Sequence, residues 1–146
     1  MALGTKLTND TAKAACDSVV DRLDLGGAGK IEIWEGTPPA NADDAITNGV
    51  GGYKLLAELT LANPAFGAAA DINPGARAVA NPITDDASAN ASGTPSFFRA
   101  RNGSGTLVLQ GTAGSGGTYD LVLDSSTITA GQTVSINSWT ITMPES

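Results

Sequence analysis

Apolar positions near the start of the chain recur every three or four residues, and from Lys30 onward they recur at every second residue. Ala12, Ala15, Cys16, Val19 and Leu23 make one narrow helical stripe, with Asp10, Asp17, Asp21 and Asp24 off it. Thr8 or Asn9 can cap this helix, because a short oxygen-bearing side chain accepts a bond from the first free amides. Gly26-Gly27-Ala28-Gly29 stops it. The pattern predicts one helix over 8–25, whose small residues suit close packing on a sheet or on another chain.

The later periodicity is that of strands. Ile31 and Ile33 alternate with polar neighbours up to Trp34-Glu35, and Gly36-Thr37-Pro38-Pro39 ends the run in a polar loop that lasts to Gly52. Leu55, Ala57, Leu59 and Leu61 face one way while Glu58 and Thr60 face the other, which predicts a half-buried strand over 54–62. Asn63 to Pro95 is rich in Ala, Asn, Asp, Pro and Gly, with one candidate strand at 76–80 that carries Arg77. So long a structureless run is usually functional or ordered by a partner.

Phe97–Arg101 and Thr106–Gln110 flank Asn102-Gly103-Ser104-Gly105 and read as a hairpin. A turn centred on Gly103-Ser104 pairs Arg101 with Thr106, Ala100 with Leu107 and Phe98 with Leu109. That register sends Phe98, Ala100, Leu107 and Leu109 to the core. Phe97, Arg99, Arg101 and Val108 then share an outer face suited to contact with another chain. Gly111–Thr118 reads as a flexible connection and 120–124 as a short strand. In the closing strand, 133–143, Val134 and Ile136 have one parity and Trp139, Ile141 and Met143 the other, so a bulge is expected near Asn137-Ser138. Together these elements predict a mainly β chain: a single domain over 1–146, with an N-terminal helix followed by an antiparallel β-sandwich over 30–143 and long Gly/Ala-rich loops.

Composition narrows the chemistry. The 146 residues include no histidine and one cysteine, which excludes a Ser–His–Asp triad, a Cys–His dyad, histidine-ligated metal and an internal disulfide. A net charge of −7 argues against nucleic acid, which needs clustered Lys and Arg. No run approaches the ~20 apolar residues that span a bilayer, and Met1–Lys6 has no apolar stretch of secretory type. Synthesis in the cytoplasm, without a membrane partner, is the expectation.

Each candidate motif also has a plainer reading. Gly26–Lys30 approaches a phosphate loop but has Asp24 and Ile31 where that loop needs Gly and Ser or Thr, and it follows a helix instead of preceding one. Asp17, Asp21 and Asp24, with the pairs Asp43-Asp44 and Asp85-Asp86, lack the spacing of a calcium loop and read as solvated acidic surface. Cys16 on the apolar stripe reads as a buried, inert thiol. No catalytic residue, metal site or cofactor is expected. Trp34, Arg77, Phe97, Arg99 and Arg101 are the residues expected to contact a partner. A carbohydrate-binding module, with Trp34, Tyr53 and Tyr119 as stacking faces, is the alternative of a different class.

Three stretches carry a resemblance: Met1–Leu7 (MALGTKL), Leu55–Gly67 (LLAELTLANPAFG) and Gly131–Pro144 (GQTVSINSWTITMP). They resemble small structural proteins encoded in the virion gene blocks of tailed bacteriophages and prophages, over nearly the whole chain. The resemblance implies a non-enzymatic particle component, a homo-oligomer located in the virion and assembled in many copies. Capsid decoration (cement) on the major capsid protein is the preferred role, and a place among tail or baseplate proteins is the runner-up. Such subunits rely on many weak contacts repeated by symmetry. The flanks and Asn63–Pro95 are expected to carry much of that contact.

Overall fold

The computed structural model describes residues 5–144. Helix α1 spans Asn9–Asp21, and a 3-10 turn continues it over Arg22–Asp24. Thr8 caps it by accepting from the Thr11 N–H at 3.2 Å. Ala12, Cys16, Val20 and Leu23 are its buried positions. Gly26, at φ 79°, turns the chain out of the helix in the left-handed region that glycine adopts without strain.

Eight strands follow: β1 Lys30–Glu35, β2 Lys54–Thr60, β3 Ala70–Asp71, β4 Ala76–Val79, β5 Phe97–Arg101, β6 Leu107–Gly114, β7 Leu121–Leu123 and β8 Ile136–Met143. They hydrogen-bond in the order β2-β1-β5-β6-β7-β8-β4-β3. The described residues are therefore mainly β with one α-helix, as the periodicities require. The sheet is one continuous eight-stranded array, not two separately bonded sheets, and it is mixed, because β6 and β7 run parallel.

Phe98 on β5 and Trp139 on β8 lie three strand positions apart in this order. A flat sheet would separate them by about 14 Å. Their ring centroids are 5.3 Å apart, so the sheet curls strongly around its apolar side. Phe66 closes on Trp139 from elsewhere at 4.7 Å. The helix packs against β4, β8 and β3 and completes the same core.

Two bulges decide which residues face inward. Between β7 and β8 the register shifts opposite Asn137, so Val134 and Trp139 are both buried despite their opposite parities. That is the bulge the sequence required. In β6 the shift falls at Val108: Arg101 pairs with Leu107, Ala100 with Leu109 and Phe98 with Gly111. The hairpin register therefore differs from the expected one. The cause is the buried Asn102 side chain, whose Oδ1 accepts from the Ser104 and Thr106 amides at 3.0 Å and holds a wider loop. Leu107 moves to the outer face, and Val108 packs toward the core. The expected flexible stretch after Gln110 is in part strand, since β6 continues to Gly114.

The run from Asn63 to Pro95 is ordered by its own chain. Ala65, Phe66, Ala69 and Ala89 lie in the core. Isolated bridges pair Thr60 with Thr84, Phe66 with Ala80, Asp86 with Val134 and Gly93 with Ile128. Short side chains let this irregular backbone come close enough to the sheet for those bonds to form.

Candidate functional site

The outer face of β1, β2, β5 and β6 brings together four of the five residues expected to meet a partner. The register sets out three cross-strand rows. Thr60, Lys30, Arg101 and Leu107 form the first, and Glu58, Glu32, Arg99 and Gln110 the second. Leu55, Trp34, Phe97 and Thr112 form the third. Each row runs across four strands because alternate residues on neighbouring strands share a face.

The third row is covered by a strap, residues 36–53, which crosses back over the face. Trp34 stacks on Phe97 with centroids 6.4 Å apart, and Tyr53 meets Phe97 edge-on at 6.0 Å. Phe97 is fully buried, and Trp34 nearly so. Arg99 is also buried, at 2% exposure. Its Nε donates to Gln110 Oε1 at 3.0 Å and its Nη2 to the Asp44 carbonyl at 2.6 Å, while Gln110 Nε2 donates to the Pro39 carbonyl at 3.0 Å. Burial, with the neighbouring charge of Arg101 adding to it, pulls the Arg99 guanidinium below its usual pKa.

Trp34, Phe97 and Arg99 therefore anchor the chain's own strap instead of facing outward. Large aromatic and cationic groups mark a face that is covered, and here the cover is intramolecular. Arg101 is half-buried at the open end of the face, where its Nε donates to Glu32 Oε1 at 3.1 Å. Arg77 lies apart from this group, exposed on β4 opposite Thr142. Of the rings proposed as sugar-stacking faces, Trp34 and Tyr53 are engaged with Phe97, and Tyr119 packs against Gly114.

Of the carboxylates expected to be solvated, Asp21, Asp43, Asp44 and Asp85 are exposed, but Asp17, Asp24 and Asp86 are half-buried acceptors for loop backbone. Asp17 Oδ1 takes the Ala69 N–H and Asp24 Oδ1 the Ala65 N–H, each at 2.7 Å. Asp86 takes the amides of Glu58 and Ser88. Glu35 takes the Thr94 N–H at 2.9 Å and pairs with Lys54 at 3.2 Å; both, the amide first, hold its carboxyl below the usual range. Cys16 is buried, and burial raises its thiol pKa. Among the described residues no three His, Cys, Asp or Glu side chains come together to hold a metal, and no helix is long and apolar enough to cross a membrane.

A cleft of about 380 Å³ opens between β6 and β8, lined by Leu109, Gln110 and Gly111 on one wall and Thr140, Ile141 and Thr142 on the other. Phe98 and Trp139 line it from the core, and Tyr119 and Asp120 close one end. Nothing in the linear pattern marks it, because it arises from the shortness of β7. The Trp139 indole N–H is buried without an acceptor among the described residues.

In comparisons with known proteins, the chain matches no family model, no curated protein and no solved structure.

Proposed function

We propose that the chain is a non-catalytic structural subunit of a tailed-bacteriophage particle, one that decorates and cements the capsid. The resemblance of Met1–Leu7, Leu55–Gly67 and Gly131–Pro144 to virion structural proteins supports this reading. The observation that carries it from the fold is how the buried and half-buried polar groups are used. Arg99, Asn102, Asp17, Asp24 and Asp86 all hold the chain's own backbone in place. Such side chains make long loops into a preorganised surface, which is what repeated weak contacts need if little entropy is to be lost at each one.

Contact with neighbours then falls to side chains the fold leaves outside. Leu25, Val50, Val79 and Tyr119 are exposed apolar groups of this kind. The net charge of −7 favours association with basic patches on a shell. Asn63–Pro95 contributes through its outward side chains, because its backbone is already bonded within the chain.

Immunogold labelling of purified particles with an antibody to this chain, viewed in negative stain, tests the assignment. Label over the head is the expected result. Label confined to the tail would move the subunit to the tail or baseplate, and unlabelled particles would overturn the assignment altogether.

A further inference from the structure

The cleft between β6 and β8 has the form of a strand position that this chain fills at only one end. β7 supplies three residues, pairing with Ala113 and Gly114 of β6 and with Ile136 to Trp139 of β8. Beyond it the two walls continue without a strand between them. The Ala113 N–H donates to Ser96, so Leu109, Gly111 and Ala113 bond toward β5 and the backbone of Gln110 faces the cleft. The Ala80 N–H donates to the Trp139 carbonyl, so Trp139 and Ile141 bond toward β4 and the backbones of Thr140 and Thr142 face the cleft. Two strand edges thus line the cleft from opposite sides, above Leu109, Ile141 and Phe98.

The chain's own β7 cannot be lengthened to fill it. Continuing the parallel register backward would set Thr118 beside Gln110. Only Ser115, Gly116 and Gly117 would then remain to turn the chain and return about 13 Å along β6. Tyr119 instead folds over Gly114, and Asp120 Oδ2 accepts from the Thr112 amide and hydroxyl at 2.9 Å.

We propose that this cleft accepts, by strand addition, the segment preceding α1 from a second copy of the chain. Thr5 to Leu7, just before the Thr8 cap, lies outside any helix or strand and is exposed. Leu7 keeps 37% of its surface in solvent, the least of the five large apolar side chains that remain exposed among the described residues, and Lys6 has no ion-pair partner among them. The cleft offers what this segment lacks: two open backbone edges, an apolar floor and the carboxylate of Asp120 at one end. Backbone bonds give such an arrangement its affinity, and side chains at alternate positions give its register. An arm given to one neighbour while the cleft receives from another is a head-to-tail contact, which closes into a ring or propagates. The proposal is independent of the particle assignment, which would stand if strand exchange failed.

The test uses the full chain and two variants, compared by sedimentation velocity over a range of concentrations. Thr140→Pro removes an N–H that faces only the cleft, and Leu7→Asp spoils the donor. The unaltered protein is expected to associate, each variant to sediment as a monomer with unchanged circular dichroism, and an equimolar mixture to form a one-to-one heterodimer from the intact arm of one and the intact cleft of the other. Should Thr140→Pro not fold, Lys6→Glu gives the independent reading: association weakened about tenfold, with Lys6→Arg close to the unaltered chain. A protein monomeric at every concentration, variants that associate normally, or a mixture that stays monomeric would each overturn the proposal. So would a monomer in which Leu7→Asp exposes the Thr142 amide to exchange, since the arm would then dock in its own chain. Uptake of a strand from an unrelated protein in place of the arm would overturn it as well.

Discussion

The rings of Phe98 and Trp139 meet in a T-shaped contact, centroids 5.3 Å apart and planes at 78°, joining strands that the sheet order places three positions apart. This contact, with Phe66 on the other side of Trp139, is where the curled sheet closes on its core. Trp139→Ala should cost about 3–5 kcal/mol in urea unfolding, the range for deleting a large buried aromatic. Trp139→Phe should cost well under half of that, since it keeps most of the apolar volume and removes a buried N–H without an acceptor.

Asp17 and Asp24 hold the same segment at two points, Ala69 and Ala65. Replacing either with Ala leaves a backbone N–H without its acceptor and should destabilise by about 1–2 kcal/mol. The double variant should lose less than the sum, because a segment freed at one point gains less from the other. A double-mutant cycle on chemical unfolding measures that coupling, and strict additivity would show the two anchors to be independent.

Arg99 ties the strap to the sheet through the Asp44 carbonyl and through Gln110. In Arg99→Met the desolvation cost of the cation disappears, but Gln110 and the Asp44 carbonyl lose their donor. The lost bonds should outweigh the relief, giving a net loss of about 1–3 kcal/mol. The loss should be concentrated in the strap. Amide exchange at Asp44 and Gly49 should accelerate while that of β1 and β5 stays slow, and uniform acceleration would place the anchor elsewhere.

Glu35 titrates below its ordinary value when folded, so the stability it contributes is complete above the unfolded glutamate pKa of about 4.3. That stability is lost as pH falls through the lower folded value. Unfolding free energies at neutral pH and near pH 3 should therefore differ less in Glu35→Gln than in the unaltered chain. The Thr94 amide shift should titrate with a midpoint below the usual glutamate range, and a midpoint at or above it would remove Glu35 as the cause.

The sequence alone determined the elements whose cause is local. Thr8 and the glycines after Leu25 bound the helix through hydrogen bonds and backbone freedom within a few residues. The parity change between Ile136 and Trp139 required a bulge because both Val134 and Trp139 are too apolar to leave the core. What tertiary structure decided was the destination of each strong side chain. Arg99, Phe97 and Trp34 read as outward-facing because the strap that buries them is polar and bears no apolar pattern of its own. Asp17, Asp24 and Asp86 read as solvated because their partners are backbone amides 28 to 52 residues away, and every residue but proline carries the same N–H. The cleft beside β7 was invisible for the same reason: it is a difference in length between strands brought together only by the curl of the sheet.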